Sequence, residues 1–352
     1  QLFFWSFFFA RLAFYRPVPR STNMEHKPVS IVICARNEAE NLRKNLPHFL
    51  NQNYRSFEII VVNDNSSDKT EQVLLEFQQK SPKLRVINLY NPTFPGKKTA
   101  LSTGIKASKY DFILLSDADC RPRSRQWIRQ MQAPIQGEIR IGLGYSPYRD
   151  ASGWLNRFIR FETVYTATQY LSFALAGIPY MGVGRNLAYH KELFQSTRGF
   201  QKHMDLLSGD DDLFVNEVAR PFNTSIVLEP GAFTVSEPKH TWRDYYYQKR
   251  RHLTTGRRYR PLHQLLLAAL SASHAGHYLA GLLLLLSGTC IIPVLLIYLV
   301  RIGVVCWLYF SILKKLDARD LWKWVPLLDV AYLLFYFAFA PGLIFGNAKR
   351  WK

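Results

Sequence analysis

Four short stretches of this 352-residue chain carry side chains suited to chemistry. Asp117 and Asp119 stand at positions i and i+2, directly after an apolar run. Two carboxylates so placed can converge on a hard divalent cation that keeps waters and binds phosphate oxygens. The same pair also fits a solvated turn or a helix N-cap, both of which favour aspartate. Asp210, Asp211 and Asp212 follow Ser208-Gly209 and precede an apolar helical stretch. Repulsion among adjacent acids raises a pKa, as a general base requires, although an acidic first helical turn is an equal account. Pro95-Gly96-Lys97-Lys98 opens a predicted helix whose N-terminus, with two ammonium groups, suits an anion. Gln248-Lys249-Arg250-Arg251-His252 is a basic cluster on a predicted helix. It suits an anionic lipid surface or a diphosphate, on which arginine places two parallel donors.

The elements that must position these groups alternate strand and helix. VSIVIC (Val29–Cys34), FEIIVV (Phe57–Val62), LRVINL (Leu84–Leu89) and YDFILLS (Tyr110–Ser116) are short apolar runs rich in β-branched residues, as buried parallel strands are. Leu42, Leu46, Phe49 and Leu50 recur at helical spacing after the first run. Helices are predicted over Asp68 to Gln79 and Lys98 to Ala107 as well. This order predicts an α/β fold with an open, doubly wound, mostly parallel sheet. Ligands of such sheets bind beyond the carboxyl ends of the strands. The segments found there are Ala35-Arg36-Asn37-Glu38, Asn63 to Asp68, and Ser116 to Asp119. Asp64 fits recognition of a nucleobase or ribose edge, or simply the turn that Asn63 to Asp68 would form. Two phosphate motifs are excluded. Asn91 and Lys98 break a Walker A loop, and no GxGxxG follows the first strand; Gly182-Val183-Gly184-Arg185-Asn186-Leu187 lacks the third glycine.

From about Leu262 the composition changes. Leu265–Leu286, Ile291–Leu313 and Trp324–Phe345 are apolar runs of the length needed to cross a bilayer, about 20 residues. Leu2 to Tyr15 is also apolar but too short to span alone; it reads as the tail of a span or as an interfacial segment, not as a signal peptide. Three parts follow: a hydrophobic segment and linker over 1–27, an α/β domain over 28–260, and a membrane region of about three helices over 261–352. Arg16, Arg20, Arg257, Arg258, Arg260, Lys314, Lys315 and Arg319 flank the apolar segments and place the α/β domain in the cytoplasm. Three full C-terminal spans would leave Lys349, Arg350 and Lys352 outside, against that rule, unless one segment is interfacial or re-entrant.

Composition removes other classes. With 48% hydrophobic and 20% charged residues, disorder is excluded. Cys34, Cys120, Cys290 and Cys306 form no CxxC pair, so neither a zinc site nor a redox pair is indicated. The net charge of +19 suits nucleic acid, anionic lipid or phosphorylated small molecules. Much of it sits at membrane edges and phosphate motifs, and no nucleic-acid-binding signature accompanies it.

Taken in order over Val29 to Gly256, these segments resemble the membrane-integrated family 2 glycosyltransferases of the cellulose- and hyaluronan-synthase kind. The resemblance implies a GT-A fold, a nucleotide-sugar donor (UDP-linked by the GK segment), Mg²⁺ or Mn²⁺, and inversion at the anomeric carbon. It implies that Ala35 and Glu38 begin the donor pocket, Asp64 holds the base, and Lys97 lies on the uridine side. Asp117 and Asp119 become the metal ligands. Gly184, Asn186, Asp210 and His252 fall on the acceptor side, Asp211 becomes the base, and Gln248, Arg250 and Arg251 face the donor diphosphate. Asn63, Asp210 and His252 depart from the family's usual Asp, Glu and Trp, and His252 bears on processive synthesis. The expected partners are a nucleotide sugar, a lipid-linked or glycan acceptor and membrane lipids, with no nucleic acid. Two rival readings are a catalytically degenerate nucleotide-binding domain and a transporter with an α/β regulatory domain. Arg301, His274, His277 and Asp329, polar groups at membrane depth, motivate the second. The aromatic face of Trp154, Phe158, Phe161 and Tyr165 reads as packing or interface contact, or as a platform for stacking a sugar.

Overall fold

The computed structural model describes residues 1–17, 26–90, 96–206 and 208–345, with side chains to Phe339. Arg20, Pro95, Lys349, Arg350 and Lys352 lie outside these residues.

The apolar N-terminal segment is helical, ending in α1 (Ala10–Phe14). The α/β part then runs β1 (Val29–Ala35), α2 (Ala39–Leu50), β2 (Phe57–Asp64), α3 (Thr70–Lys80), β3 (Leu84–Leu89), α4 (Lys97–Ala107) and β4 (Phe112–Asp117). Shorter pieces follow: β5 (Cys120–Pro122), α5 (Trp127–Gln132) and β6 (Ile141–Leu143). The long α6 (Trp154–Leu175) precedes β7 (Leu187–His190), α7 (Lys191–Ser196), α8 (Asp212–Val218), β8 (Thr224–Ile226) and β9 (Thr234–Ser236). α9 (Trp242–Leu253) leads to α10 (Pro261–Leu286), α11 (Ile291–Lys315) and α12 (Val325–Phe345).

Seven strands form one sheet in the order β3-β2-β1-β4-β7-β6-β8. The first four are parallel neighbours, and β7 pairs antiparallel with both β4 and β6. Every residue of β1 is buried, which is why the strand reads as an unbroken apolar run. Val29, Ile31 and Ile33 pack toward Leu42, Val73 and Trp127, while Val32 packs toward Leu101 and Ile105 of α4. Ala35 is paired with Asn63 and Cys34 with Asp117, so the polar strand ends fall on one edge of the sheet.

α4 sits close on this sheet because Gly104 has no Cβ. A Cβ there would lie 2.5 Å from Val32 Cγ1 and 3.0 Å from Val62 Cγ2.

α10, α11 and α12 are long and apolar enough to cross a membrane, matching the three expected runs. They expose Leu283, Ile292, Leu299, Phe310 and Leu334 outward. Inside the bundle Arg301 pairs with Asp329, and Tyr278 Oη donates to the same carboxylate at 2.6 Å. His274 Nε2 lies 3.4 Å from Asp329, so three of the four membrane-depth groups close on one another; His277 stacks edgewise on Tyr298 instead. The N-terminal segment joins this bundle, with Trp5 against Tyr309 (4.9 Å between rings) and Phe8 against Phe173 (4.7 Å).

α6 is the bridge between the sheet domain and the bundle. Phe158 contacts Tyr332 and Tyr245, Phe161 contacts Tyr309, and Tyr165 lies 4.7 Å from Tyr332. The expected aromatic face is thus a packing face. Arg160, largely buried, donates to Asp150 and to both oxygens of Asp320, fastening α6 to the segment before α12.

Gly104→Ala tests the α4 contact. Helix propensity would gain about 1 kcal/mol, but overpacking against a fixed valine costs about 1–3 kcal/mol. Net destabilisation is expected in denaturant or thermal melts, and a stabilised variant would contradict the packing described.

Candidate functional site

The strand ends, the loop before α8 and helix α9 enclose one cavity of about 1230 Å³. Of the residues singled out in sequence, Glu38, Lys97, Asp117, Asp119, Gly184, Asp210, Asp211, Gln248, Arg250, Arg251 and His252 line it. Ala35, Asp64 and Asn186 do not.

Lys97 is at the centre. It is the first residue of α4, and Gly96 before it adopts φ +143°, a conformation that favours glycine. Lys97 Nζ lies 3.0 Å from Asp117 Oδ1 and 2.9 Å from Asp210 Oδ2. Burial alone would lower the lysine pKa; Asp117, Asp210 and Asp211 outweigh it and hold the ammonium well above its usual range. One cation therefore joins the end of β4 to the acidic turn before α8.

The three adjacent acids are separated by their partners. Asp212 accepts from Thr255, from Tyr259 Oη at 2.7 Å and from the Leu213 N–H at 2.7 Å, so it is committed to the fold. Asp211 caps α8, accepting from the Asp212 N–H at 2.8 Å and from the Gly184 N–H at 2.6 Å. A Cβ on Gly184 would stand 3.2 Å from Asp211 Oδ2 and 3.4 Å from Lys97 Nζ, so glycine admits this close approach. Burial first, then the charges of Asp210 and Asp212, push Asp211 up to about 7, against the opposing pull of Lys97 and the Gly184 N–H. Asp210 is 5% exposed and turns to Lys97.

Asp117 closes β4, and Asp119 lies in the turn to β5, where it accepts from Cys120 Sγ at 3.4 Å. Their oxygens are the hard donors that Mg²⁺ or Mn²⁺ prefers, beside a point already occupied by a cationic side chain. Among the described residues no cluster of three or more His, Cys, Asp or Glu side chains is disposed around a metal. Two carboxylates alone would leave positions on such an ion for phosphate and water.

The cationic wall comes from α9 and from the segment before β7. Arg250 Nε, Arg251 Nε and Arg185 Nη1 are buried without hydrogen-bond partners among the described residues, a disposition suited to an anion. Gln248 donates to Tyr148 Oη at 3.3 Å, and Arg185 lies 4.4 Å over the Tyr148 ring. His252 stands exposed at the rim.

The residues outside the cavity have other surroundings. Asp64 is fully buried at the end of β2, with Arg36 Nη1 3.8 Å away and the Gly96 N–H among the groups that act on its carboxylate. Burial raises its pKa against the pull of Arg36. Asp68 makes the turn, accepting from Thr70 N and Ala39 N. Ala35 lies in the apolar core. Asn186 binds Trp127 Nε1, the Tyr145 carbonyl and the Ala232 carbonyl, so all its described contacts are internal. Sequence reasoning missed Arg36 and Arg185, although each is next to a residue it did single out. It also missed Glu162, which lines the cavity from α6.

Residues 30–197 match the sequence model of the glycosyl transferase family 2. A probable glycosyltransferase, YdaM, of Bacillus subtilis is 29% identical over 68% of this chain and 58% of its own length. A poly-beta-1,6-N-acetyl-D-glucosamine synthase of Staphylococcus epidermidis is 32% identical over 28% of this chain and 24% of its own length. The chain thus covers less than two thirds of either relative. A mannosyltransferase of Pyrobaculum calidifontis, solved with GDP-Man and Mn²⁺, is similar in fold, with a TM-score of 0.64 at 17% identity over 98% of this chain and 94% of that one.

The raised Asp211 pKa has a direct check. Difference infrared spectra in the carboxyl region should show a group deprotonating near pH 7 that disappears in Asp211→Asn. Titration of every carboxyl below pH 5 would contradict the electrostatics described.

Proposed function

We propose, from the match of residues 30–197 to the glycosyl transferase family 2 model, that the chain is an inverting, metal-dependent transferase. It moves a sugar from a nucleotide sugar to a hydroxyl of a lipid-linked or polysaccharide acceptor in cell-envelope glycan synthesis. The donor is a UDP-linked hexose or N-acetylhexosamine, and the domain over 28–260 faces the cytoplasm. The observation that carries this reading is the convergence of Asp117, Asp210 and Asp211 on Lys97 in one cavity with Arg250 and Arg251. A degenerate nucleotide-binding domain has no need of a carboxyl poised near 7 beside a cationic wall. The membrane-depth polar groups of the transporter reading are largely engaged with one another inside the bundle.

Asp117 and Asp119 would hold a divalent cation, which when bound screens the charge of the donor diphosphate. The relative solved with Mn²⁺ supports trying that ion beside Mg²⁺. Arg250 and Arg251 offer donors to the leaving diphosphate, in the cavity where Lys97 pairs with Asp117 and Asp210. The resemblance assigns the nucleobase to Asp64, which lies buried beneath the cavity edge beside Arg36. As the acceptor oxygen attacks the anomeric carbon, the bond from that carbon to the phosphate oxygen breaks, and its electron pair leaves with the nucleotide diphosphate. The hydroxyl proton passes to Asp211, whose pKa suits a general base at neutral pH. Inversion follows from a single in-line displacement.

General-base removal is worth about 10²–10⁴-fold. Asp211→Asn should lose at least about 10²-fold in turnover while still binding donor; near-normal turnover, with the loss appearing in Asp210→Asn, would move the base to Asp210. Because the base must be ionised, kcat/KM should rise with pH through about 7 and fall on the acid side. Asp119→Ala should abolish the metal dependence of donor binding measured by calorimetry; an unchanged Mn²⁺ requirement would remove Asp119 as a ligand.

A further inference from the structure

We propose that the polar face of α6 is the acceptor subsite, where Glu162, held by Lys249, receives the hydroxyls of a glycosyl ring and selects a sugar acceptor over a lipid monophosphate. The proposal rests on the glycosyltransferase reading and names the acceptor end of the same cavity.

α6 presents opposite faces to different surroundings. Phe158, Phe161 and Tyr165 pack on the helical bundle. Glu162, Thr163, Thr166, Ala167 and Tyr170, at helical spacing, line the cavity that holds Asp117 and Asp211. Packing alone would favour an apolar strip, since a buried carboxylate is costly unless paired. Glu162 is 3% exposed, with Oε2 2.5 Å from Lys249 Nζ and Oε1 accepting from Thr166 Oγ1 at 3.0 Å.

That pairing divides the basic cluster of α9. Lys249 is neutralised by Glu162, whereas Arg250 and Arg251 keep Nε groups without hydrogen-bond partners among the described residues. The guanidinium side is suited to the donor diphosphate. The Glu162 side offers a carboxylate and two threonine hydroxyls, with its cation already paired. A phosphate monoester placed against Glu162 would meet a carboxylate whose partner ammonium is already paired; a sugar ring would donate hydroxyl protons to it and leave the ion pair intact.

The test uses the full chain in lipid nanodiscs with a panel of UDP- and GDP-sugars, Mg²⁺ or Mn²⁺, and two acceptors: an alkyl glycoside and a polyprenyl monophosphate. Nucleotide release without acceptor reports the underlying reading; the acceptor KM reports this one. Sugar should pass to the glycoside and not to the monophosphate. Glu162→Gln and the milder Thr166→Val should raise the glycoside KM, by about tenfold for Glu162→Gln; Thr166→Val should keep the melting temperature, while Glu162→Gln, which leaves the largely buried Lys249 unpaired, should lower it. If Glu162→Gln does not fold, Thr166→Val decides. Transfer to the monophosphate, or an unchanged glycoside KM in a folded variant, overturns the subsite while leaving the transferase reading standing. Absence of nucleotide release with every donor overturns both.

Discussion

The arrangement around the cavity depends on one ammonium group. Asp117 and the adjacent pair Asp210-Asp211 come from separate parts of the chain and carry like charge, so gathering them in a partly dehydrated space is unfavourable unless a cation accompanies them. Lys97 supplies it, touching Asp117 on one side and Asp210 on the other. Its position is set by the backbone, because Gly96 turns the chain into α4 and Gly104 lets that helix lie against β1 and β2. The glycine-lysine pair is thus an anchor between the sheet and the acidic turn as well as a source of positive charge.

With the cation in place, neighbouring acids take different tasks through their partners alone. Asp212 is consumed by Thr255 and Tyr259, which ties the start of α8 to the segment leading into the membrane helices. Asp211 is shared between its own helix and the Gly184 backbone. Asp210 looks into the cavity toward Lys97. Three identical residue types in a row thereby acquire three environments, and burial and repulsion hold Asp211 near neutrality.

Much of this was legible in the sequence because it follows from local rules. β1, β2 and β4 appear as apolar runs because they are buried along nearly their whole length, β3 at the sheet edge mixes Leu84, Val86 and Ile87 with the exposed Arg85, and the three C-terminal helices appear by length. The sheet rule then located Glu38, Asp117 and Asp119 at the productive edge. What stayed hidden depends on side-chain direction. Asn186, in a glycine-containing segment, spends its amide on internal bonds to Trp127, Tyr145 and Ala232. Asp64 lies beneath the edge and not in the cavity lining. Glu162 sits within a strongly aromatic helix, whose ring pattern draws the eye to its packing face. β6, β8 and β9 have three residues each, too few for any periodicity to register.

α6 has one face on the membrane bundle and another on the cavity, with Arg160 clamping it to Asp320 ahead of α12. A rigid rod shared in this way transmits displacement. Changes in acyl-chain length or lateral pressure that tilt α12 would bear on α6 through Asp320 and Arg160, and so on the wall of the cavity.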